Sequence, residues 1–442
     1  MATGNRETIF ALSSGPPPSG VAIVRVSGPA VRDVLAAVAG AVPAPRVVRL
    51  ATLRNGAGDE IDRGLVLFFP GPASFTGEDV AEFQVHGGRA VIAAMLARLA
   101  AMPGLRPAEA GEFSRRAFAA GRMDLTEVEG LADLVHAETE AQRRQAVRQA
   151  GGAFRAAAEA WRTRLVRARA MVEAELDFAD EEDVPGSVSD RAWGDVRAAM
   201  AEIGRHLRDD RGERLRDGAE VVLLGPVNAG KSSLVNALAR RDVAIVSAEA
   251  GTTRDLIEVR LDIGGYPFTL VDTAGLRETS GAVEREGVRR ARSRAEGADL
   301  VLSLSDLADP GPAAALPPGV PSIRVGTKAD LVAGGEGRPP AGFDVAVSSR
   351  TGEGVDELLG LLAAFARDRM APGESTLITR ARHRAALTAV RDALAAALAE
   401  TLPLELRAEE LRHATDALGR LTGRVDVEDL LDVIFRDFCI GK

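Results

Sequence analysis

The sequence predicts a multidomain α/β protein in which a doubly wound, mostly parallel sheet is inserted into an all-α helical region. Its 442 residues suggest about three domains. Strand-like and helical runs alternate between residues 217 and 370, which is typical of a parallel sheet with covering helices. On both sides of that region apolar residues recur at three- and four-residue spacing, which indicates helices.

Residues 1–118 have a different pattern, in which short β-rich runs alternate with Gly/Pro turns. Strands are expected at Val21–Val26, Leu65–Phe69 and Val80–Val85, with one apolar helix near Ala90–Leu99. We therefore predict a small N-terminal α/β domain.

Helical periodicity occupies two separate segments, residues 119–216 and residues 371–442. It is clearest over Trp161–Leu176, Ser375–Glu400 and Arg407–Leu418. We predict that the two segments pack together as one helical domain, because a domain inserted between them is tolerated when its ends lie close together.

Composition narrows the class of protein. The chain has a formal net charge of −9 and no apolar run near 18 residues long, so we expect a cytoplasmic protein without a membrane anchor. A single cysteine, Cys439, agrees with a reducing compartment. The acidic balance argues against binding nucleic acid by bulk charge, although a local arginine surface remains possible. Lys231, Lys328 and Lys442 are the only lysines, which marks each as a position where arginine is not exchangeable.

A phosphate-binding loop is predicted at Gly225–Ser232, which fits the pattern G-x-x-x-x-G-K-[ST] between a strand and a helix. Its backbone N–H groups would meet phosphate oxygens, Lys231 would reach the β- and γ-phosphates, and Ser232 would ligate Mg²⁺. The nucleotide-binding residues predicted here are Asn228, Ala229, Gly230, Lys231, Ser232 and Ser233.

A second motif selects the base. In the sequence Thr327-Lys328-Ala329-Asp330, the Asp carboxylate can accept the N1 and N2 protons of guanine, a donor pair that adenine lacks, while the Lys stem covers the ring. Thr327 replaces the usual Asn, which is expected to weaken a contact between loops. The loop Ser348-Ser349-Arg350 is expected to contact the guanine oxygen. An ATPase remains the alternative if Asp330 does not select the base.

Two further segments are expected to sense the γ-phosphate. Asp272-Thr273-Ala274-Gly275 follows an apolar strand, so Asp272 can hold a Mg²⁺-bound water and Gly275 can donate its N–H. Gly251-Thr252-Thr253 lies between the motifs as a first switch, and Thr253 is the expected second hydroxyl on Mg²⁺.

Leu276 follows this motif where many small GTPases have a water-orienting Gln. Catalysis then needs another polar group and another cation. Asn228 and the segment from Ala244 to Thr252 resemble the arrangement in potassium-dependent GTPases. The resemblance implies K⁺ bound by Asn228 and by groups near Ser247, Glu249 and Thr252, in a loop that also contains Ala248 and Ala250. Arg254 or another arginine acting as the cation is the alternative.

The order of these motifs resembles the bacterial MnmE (TrmE) family of tRNA-modification GTPases, within the TRAFAC class. The resemblance covers essentially the full chain. It rests on the following segments: Gly225–Ser233, Gly251–Asp255, Asp272–Arg277, Cys439–Lys442, Gly20–Gly28, Phe75–Asp79, His86–Gly88 and Gly111–Ser114.

The resemblance implies a folate-binding-like N-terminal domain that holds 5-formyltetrahydrofolate and forms a homodimer. Its folate contacts match Arg25, Glu82, Arg122 and Lys442, and Arg122 stands where the family more often has Lys. Without the resemblance, Arg25 is an ordinary exposed charge at the end of a strand.

Two catalytic residues are also implied. Glu284 matches the family's acid that organises water, and Cys439 matches a cysteine implicated in the modification chemistry. A helix-face glutamate and a buried, inert cysteine are the structural alternatives.

Together these features predict a K⁺-stimulated GTPase. With an FAD-dependent MnmG-like partner, in a heterotetramer, it would install an aminomethyl-type group at carbon 5 of the tRNA wobble uridine. The rival function is a guanine-nucleotide switch that serves as an assembly factor, for instance in ribosome maturation.

Overall fold

The computed structural model describes residues 7–177, 187–241, 243–245, 257–272, 293–311, 315–332, 339–371, 373, 376–425, 431, 434–435, 438 and 440–441. The chain divides into two compact units. The first contains Met1–Ala132, Gln149–Arg167 and Leu411–Lys442, and the second contains Asp133–Arg148 and Ala168–Glu410. The boundaries predicted at residues 118, 216 and 370 stay a prediction.

The first unit contains a six-stranded mixed sheet in the order β3-β4-β5-β2-β1-β6. Neighbouring strands are antiparallel except β1 and β6, which are parallel. The strands are β1 Thr8–Leu12, β2 Ser19–Ser27, β3 Arg49–Arg54, β4 Glu60–Phe69, β5 Val80–Gly87 and β6 Leu105–Pro107. The first helices are α1 Val31–Ala39, α2 Arg89–Ala100, α3 Glu112–Ala119 and α4 Leu125–His136.

Alternation along the strands decides which residues enter the core of this sheet. Val24 and Val26 of β2 are fully buried in the cluster that contains Leu35 of α1 and Met95 of α2. Arg25, between the two valines, therefore faces the opposite side of the sheet. The small α/β domain expected at the N-terminus is confirmed.

The second unit contains a six-stranded sheet in the order β12-β11-β10-β7-β9-β8. All neighbouring pairs are parallel except β8 and β9, which form an antiparallel edge. The strands are β7 Ala219–Leu224, β8 Ile257–Ile263, β9 Tyr266–Asp272, β10 Leu300–Asp306, β11 Ser322–Thr327 and β12 Val345–Val347. The mostly parallel sheet is confirmed.

Both faces of this second sheet are buried, as expected for a doubly wound sheet. Val221 and Leu223 of β7 lie in a core with α9 (Lys231–Ala239) and α10 (Val355–Met370). Val222, between them, belongs to a separate cluster with Ala295.

The remaining helices precede or follow the strands of the second sheet in the sequence. They are α5 Glu140–Ala150, α6 Ala153–Asp177, α7 Ser187–Leu207, α8 Arg211–Asp217, α11 Ala381–Ala397 and α12 Leu404–Thr422. Helix α11 packs against α7. Arg384 of α11 donates to the Leu207 carbonyl oxygen at 2.5 Å and forms an ion pair with Glu213 of α8. Helix α11 therefore packs with α7 and α8, from which it is far apart in sequence, within the second unit.

The chain enters and leaves the second sheet at adjacent points. Thr376 Oγ1 donates to Asp209 Oδ2 at 2.8 Å. A Cβ on Gly212 would lie only 2.3 Å from the carbonyl oxygen of Ile378, so only glycine allows the two segments to approach this closely. Among the described helices, none is long and apolar enough to cross a membrane.

Candidate functional site

The predicted phosphate loop connects the end of β7 to the start of α9. Two backbone positions in it require special conformations. A Cβ on Gly225 would lie 2.5 Å from the carbonyl oxygen of Leu304, and Gly230 has a φ of 86°. Asn228 also adopts the left-handed region, with a φ of 64°. This geometry brings the start of α9, with its unsatisfied backbone N–H groups, to the end of the strand.

Lys231 folds back over its own loop. Its Nζ donates to the carbonyl oxygens of Gly225 and Pro226, both at 2.8 Å. Burial lowers the pKa of Lys231, and the negative charge of Asp272 acts in the opposite direction. The ammonium group is therefore held at the loop by neutral acceptors, which anionic phosphate oxygens can replace with stronger hydrogen bonds.

A hydroxyl expected to ligate Mg²⁺ and a carboxylate expected to hold a Mg²⁺-bound water come at the carboxyl ends of the neighbouring strands β7 and β9. Ser232 is the second residue of α9, and Asp272 is the last residue of β9, with only 1 % of its surface exposed. A hydroxyl oxygen can ligate Mg²⁺ directly, and a carboxylate can hold one of the water molecules that Mg²⁺ usually keeps. The residues present fit this cation.

Thr327 connects the two halves of the predicted site. Its hydroxyl lies 2.8 Å from the carbonyl oxygen of Ala229 and 3.1 Å from that of Ser305. The hydroxyl has one proton, so it donates to one of these carbonyls at a time. A bridging contact is therefore present although Thr replaces the usual Asn.

Lys328 is the second residue of the base motif and has a left-handed backbone with a φ of 58°. Its Nζ forms an ion pair with Asp306 Oδ2 at 2.5 Å, and this hydrogen bond lowers the pKa of Asp306. Sequence reasoning missed Asp306, which is the last residue of β10.

Both carboxylate oxygens of Asp330 accept hydrogen bonds within the protein. Ser348 Oγ donates to Oδ1 at 2.6 Å, and Arg350 Nε and Nη2 both lie 2.9 Å from Oδ2. The Ser348 bond and the charge of Arg350 hold the pKa of Asp330 below its usual value. The carboxylate is therefore ionised and fixed in orientation, beside Ala329 and Ser349 in the same loops.

Several predicted residues lie outside the described part of the chain. They are Ser247, Ala248, Glu249, Ala250, Gly251, Thr252, Thr253, Thr273, Ala274, Gly275, Glu284, Cys439 and Lys442. The roles given to them stay predictions.

In the first unit the structure brings two of the four folate candidates together. Arg25 of β2 and Glu82 of β5 are direct neighbours in the sheet and form an ion pair of 2.8 Å. The carbonyl oxygen of Gly441 accepts from Ser13 Oγ at 2.9 Å and lies 3.5 Å from Arg25 Nη1. The segment before Lys442 therefore reaches this ion pair.

Two aromatic rings complete the surroundings of Arg25. Its guanidinium carbon lies 5.5 Å from the ring centre of Phe75 and 5.7 Å from that of Phe113. Arg122 is exposed and lies beside Gly77, two residues from Phe75. Phe75 and Phe113 stand in segments that carried the family resemblance, but nothing in the sequence places them around Arg25.

Comparisons with known proteins agree with this architecture. The family model "MnmE helical domain" matches residues 125–439, and "GTP-binding protein TrmE N-terminus" matches residues 8–122. A protein named tRNA modification GTPase MnmE from Mesorhizobium japonicum is 55 % identical over 439 residues, covering 99 % of both chains. Its namesake from Sinorhizobium medicae is 56 % identical over 444 residues, with the same coverage.

Among solved structures, the G domain of the T. maritima FeoB iron transporter is 25 % identical, with a TM-score of 0.24. It covers 34 % of this chain and 98 % of that chain. The full-length relatives and the family models, which together span both units, are decisive. The chain belongs to the family of the tRNA modification GTPase MnmE.

Proposed function

We propose that this protein binds GTP at the end of its second sheet and hydrolyses it to GDP and phosphate. One observation carries the proposal. Strands β7, β9, β10, β11 and β12 are mutually parallel, so their carboxyl ends meet at one edge, where such sheets bind ligands. The phosphate loop, Asp272, Asp306, Asp330 and Ser348 all follow or end these strands.

Base selection is assigned to Asp330. An ionised carboxylate accepts the paired N–H donors of guanine, and the buried Ser348 hydroxyl keeps that carboxylate oriented. Changing Asp330 to Asn should transfer preference from GTP to xanthosine triphosphate, which offers an acceptor where guanine has its amino group. An unchanged preference for GTP would reject this role.

Hydrolysis is assigned to cations and to polar groups of the two switch segments. Ser232 and Thr253 would ligate Mg²⁺, and Asn228, Ser247, Glu249 and Thr252 would hold K⁺. Bound K⁺ would supply the positive charge that stabilises the transferring phosphoryl group. Glu284 would organise the attacking water, because Leu276 cannot do so.

A homodimer is proposed through the first unit. Leu50 and Leu65 stand directly opposite each other on β3 and β4 and are 60 % and 39 % exposed. Val47 and Val48, which precede β3, are more than half exposed. Exposed apolar side chains on and next to the edge strand β3 favour burial by a second copy.

A one-carbon folate such as 5-formyltetrahydrofolate is proposed to bind around Arg25, Glu82, Arg122 and Lys442. Arg25 supports this role because it pairs a fixed cation with two aromatic rings, a chemistry suited to a flat ligand that carries carboxylates. Cys439 is assigned to the modification chemistry near this group.

The biological reaction proposed is aminomethyl-type modification at carbon 5 of the tRNA wobble uridine. It would occur in the cytoplasm with an FAD-dependent MnmG-like partner, in a heterotetramer. The full-length relatives named tRNA modification GTPase support this assignment.

The deciding experiment is mass spectrometry of wobble nucleosides from a strain lacking this protein. We expect the modified uridine to disappear, to return with the parent gene and to stay absent with Lys231→Ala. Normal wobble uridines in the deletion strain would reject the proposal and favour the assembly-factor function.

A further inference from the structure

We propose that Arg350 acts as a placeholder for guanine on Asp330 when no nucleotide is bound, so that the base must displace it. This inference rests on the proposed guanine contact of Asp330. It gives Arg350 a role in the empty state that is distinct from contacting the base.

Guanine and the Arg350 guanidinium group have similar donor geometry. The N1–C2–N2 edge of guanine is a neutral guanidine fragment with two parallel N–H donors. Arg350 presents the same arrangement through Nε and Nη2, and both atoms lie 2.9 Å from Asp330 Oδ2. The arginine therefore offers Asp330 the type of hydrogen-bonding edge that guanine offers.

The Asp330 carboxylate has a limited number of acceptor sites. A carboxylate has about four lone-pair sites, two on each oxygen. Ser348 occupies one on Oδ1, and Arg350 occupies one on Oδ2 through the hydrogen bond from Nε, with the charged Nη2 at the same 2.9 Å distance from that oxygen. Guanine needs both oxygens for its two donors, so it and the guanidinium group compete for Oδ2.

Asp330 and its two hydrogen-bond partners differ in solvent exposure. The side chain of Asp330 is 11 % exposed, and Ser348 is fully buried, whereas the side chain of Arg350 is 76 % exposed. Arg350 can rotate into water and be rehydrated, while Asp330 stays in place. The ion pair therefore satisfies the hydrogen-bonding capacity of the carboxylate when no nucleotide is bound, and breaking it costs little free energy because Arg350 is then hydrated.

Replacing Arg350 by Ala tests the placeholder. We expect the full-length protein to bind GDP about two- to fivefold more tightly at low salt, because exposed ion pairs have coupling energies of this order. The ratio of affinities between Arg350→Ala and the parent should fall towards one at high salt, where the pair is screened. Competition of GDP against a fluorescent GDP analogue measures both quantities.

Two controls isolate the ion pair. Arg367→Ala removes the same charge from an exposed position on α10 and should leave GDP affinity unchanged. Adding Arg350→Ala to Asp330→Asn should give no gain in affinity, because the neutral amide has no ion pair to release.

The outcomes separate this inference from the proposed guanine contact. Weaker or unchanged GDP binding by Arg350→Ala at low salt would overturn the placeholder. Weaker binding would mean that Arg350 contacts the bound base and contributes to its affinity. A GTP preference over xanthosine triphosphate that survives Asp330→Asn would instead reject the guanine contact itself, whatever Arg350→Ala does.

Discussion

The Thr327 hydroxyl lies 2.8 Å from the carbonyl oxygen of Ala229, a residue 98 positions earlier in the chain. Both residues are almost completely buried, at 2 % and 1 % exposure. The contact joins the end of β11, where the base motif starts, to the phosphate loop. One buried hydroxyl thus couples the position of the loop proposed to select the base to that of the loop proposed to bind the phosphates.

Thr327→Val should therefore weaken nucleotide binding and lower stability. Removing the hydroxyl leaves a buried carbonyl without this donor, which costs about 1–3 kcal/mol. We expect a lower thermal unfolding midpoint and weaker GDP binding. Thr401→Val, the same change at an exposed residue distant in sequence from both loops, is the matched control, and equal losses in both variants would contradict the bridging role.

Asn228→Gly should abolish the dependence of GTP hydrolysis on K⁺. Glycine preserves the left-handed backbone of this residue and removes only the amide ligand. We expect the ratio of rates in KCl and NaCl, at equal ionic strength, to fall close to one. Val227→Ala, which truncates the 81 % exposed neighbour, should keep the parent ratio. Equal parent rates in both salts would rule out a K⁺ site.

Lys328→Met should lower the stability of the nucleotide-free protein at neutral pH but not in acid. The Lys328 hydrogen bond depresses the pKa of Asp306 in the folded state. Its contribution is therefore present above the unfolded pKa of about 3.9 and is lost as pH falls through the folded value.

The measurement for this pair is the difference in thermal midpoint between parent and Lys328→Met as pH is lowered. We expect that difference to shrink below about pH 4. Arg324→Met, at an exposed position on β11, serves as the control for loss of a cation. A difference that persists unchanged in acid would show that the ion pair is not its source.

Arg25→Lys should weaken binding of 5-formyltetrahydrofolate by about tenfold or more, because an ammonium lacks the planar surface that the two phenylalanine rings flank. Titration calorimetry measures this affinity, and GTP hydrolysis without folate should be unchanged. Arg32→Lys, an exposed arginine paired with Asp79, should bind folate normally. Undiminished folate affinity in Arg25→Lys would place the site elsewhere.

The parts of the site that the sequence predicted are local motifs. Gly225–Ser232 and Thr327–Asp330 each combine a strand end, a turn and a side chain within a few residues, so spacing alone locates them. Asp306 and Phe113 were not found, because each acts through a contact with a residue distant in sequence.

The predicted helix and strand boundaries differ from the observed ones where the sequence pattern is weakest. β12 is only three residues long, Val345–Val347, which is too short for a periodic pattern. Helix α11 begins at Ala381, whereas the predicted helical pattern begins at Ser375. The pattern extends too far because Ile378 and Thr379 are buried, as residues on the inner face of a helix would be, but lie in a non-helical segment.

The adjacent entry and exit of the second sheet, at Asp209 and Thr376, also affect the entropy of folding. A flexible chain as long as the segment between Asp209 and Thr376 would lose conformational entropy when its two ends are brought together. Compared with a linker of a few residues, such a chain is longer by roughly five doublings, and each doubling adds about 0.6 kcal/mol to the free energy of loop closure. An independently folded insert brings its own ends together, so α8 and α11 can associate almost as if a few residues joined them.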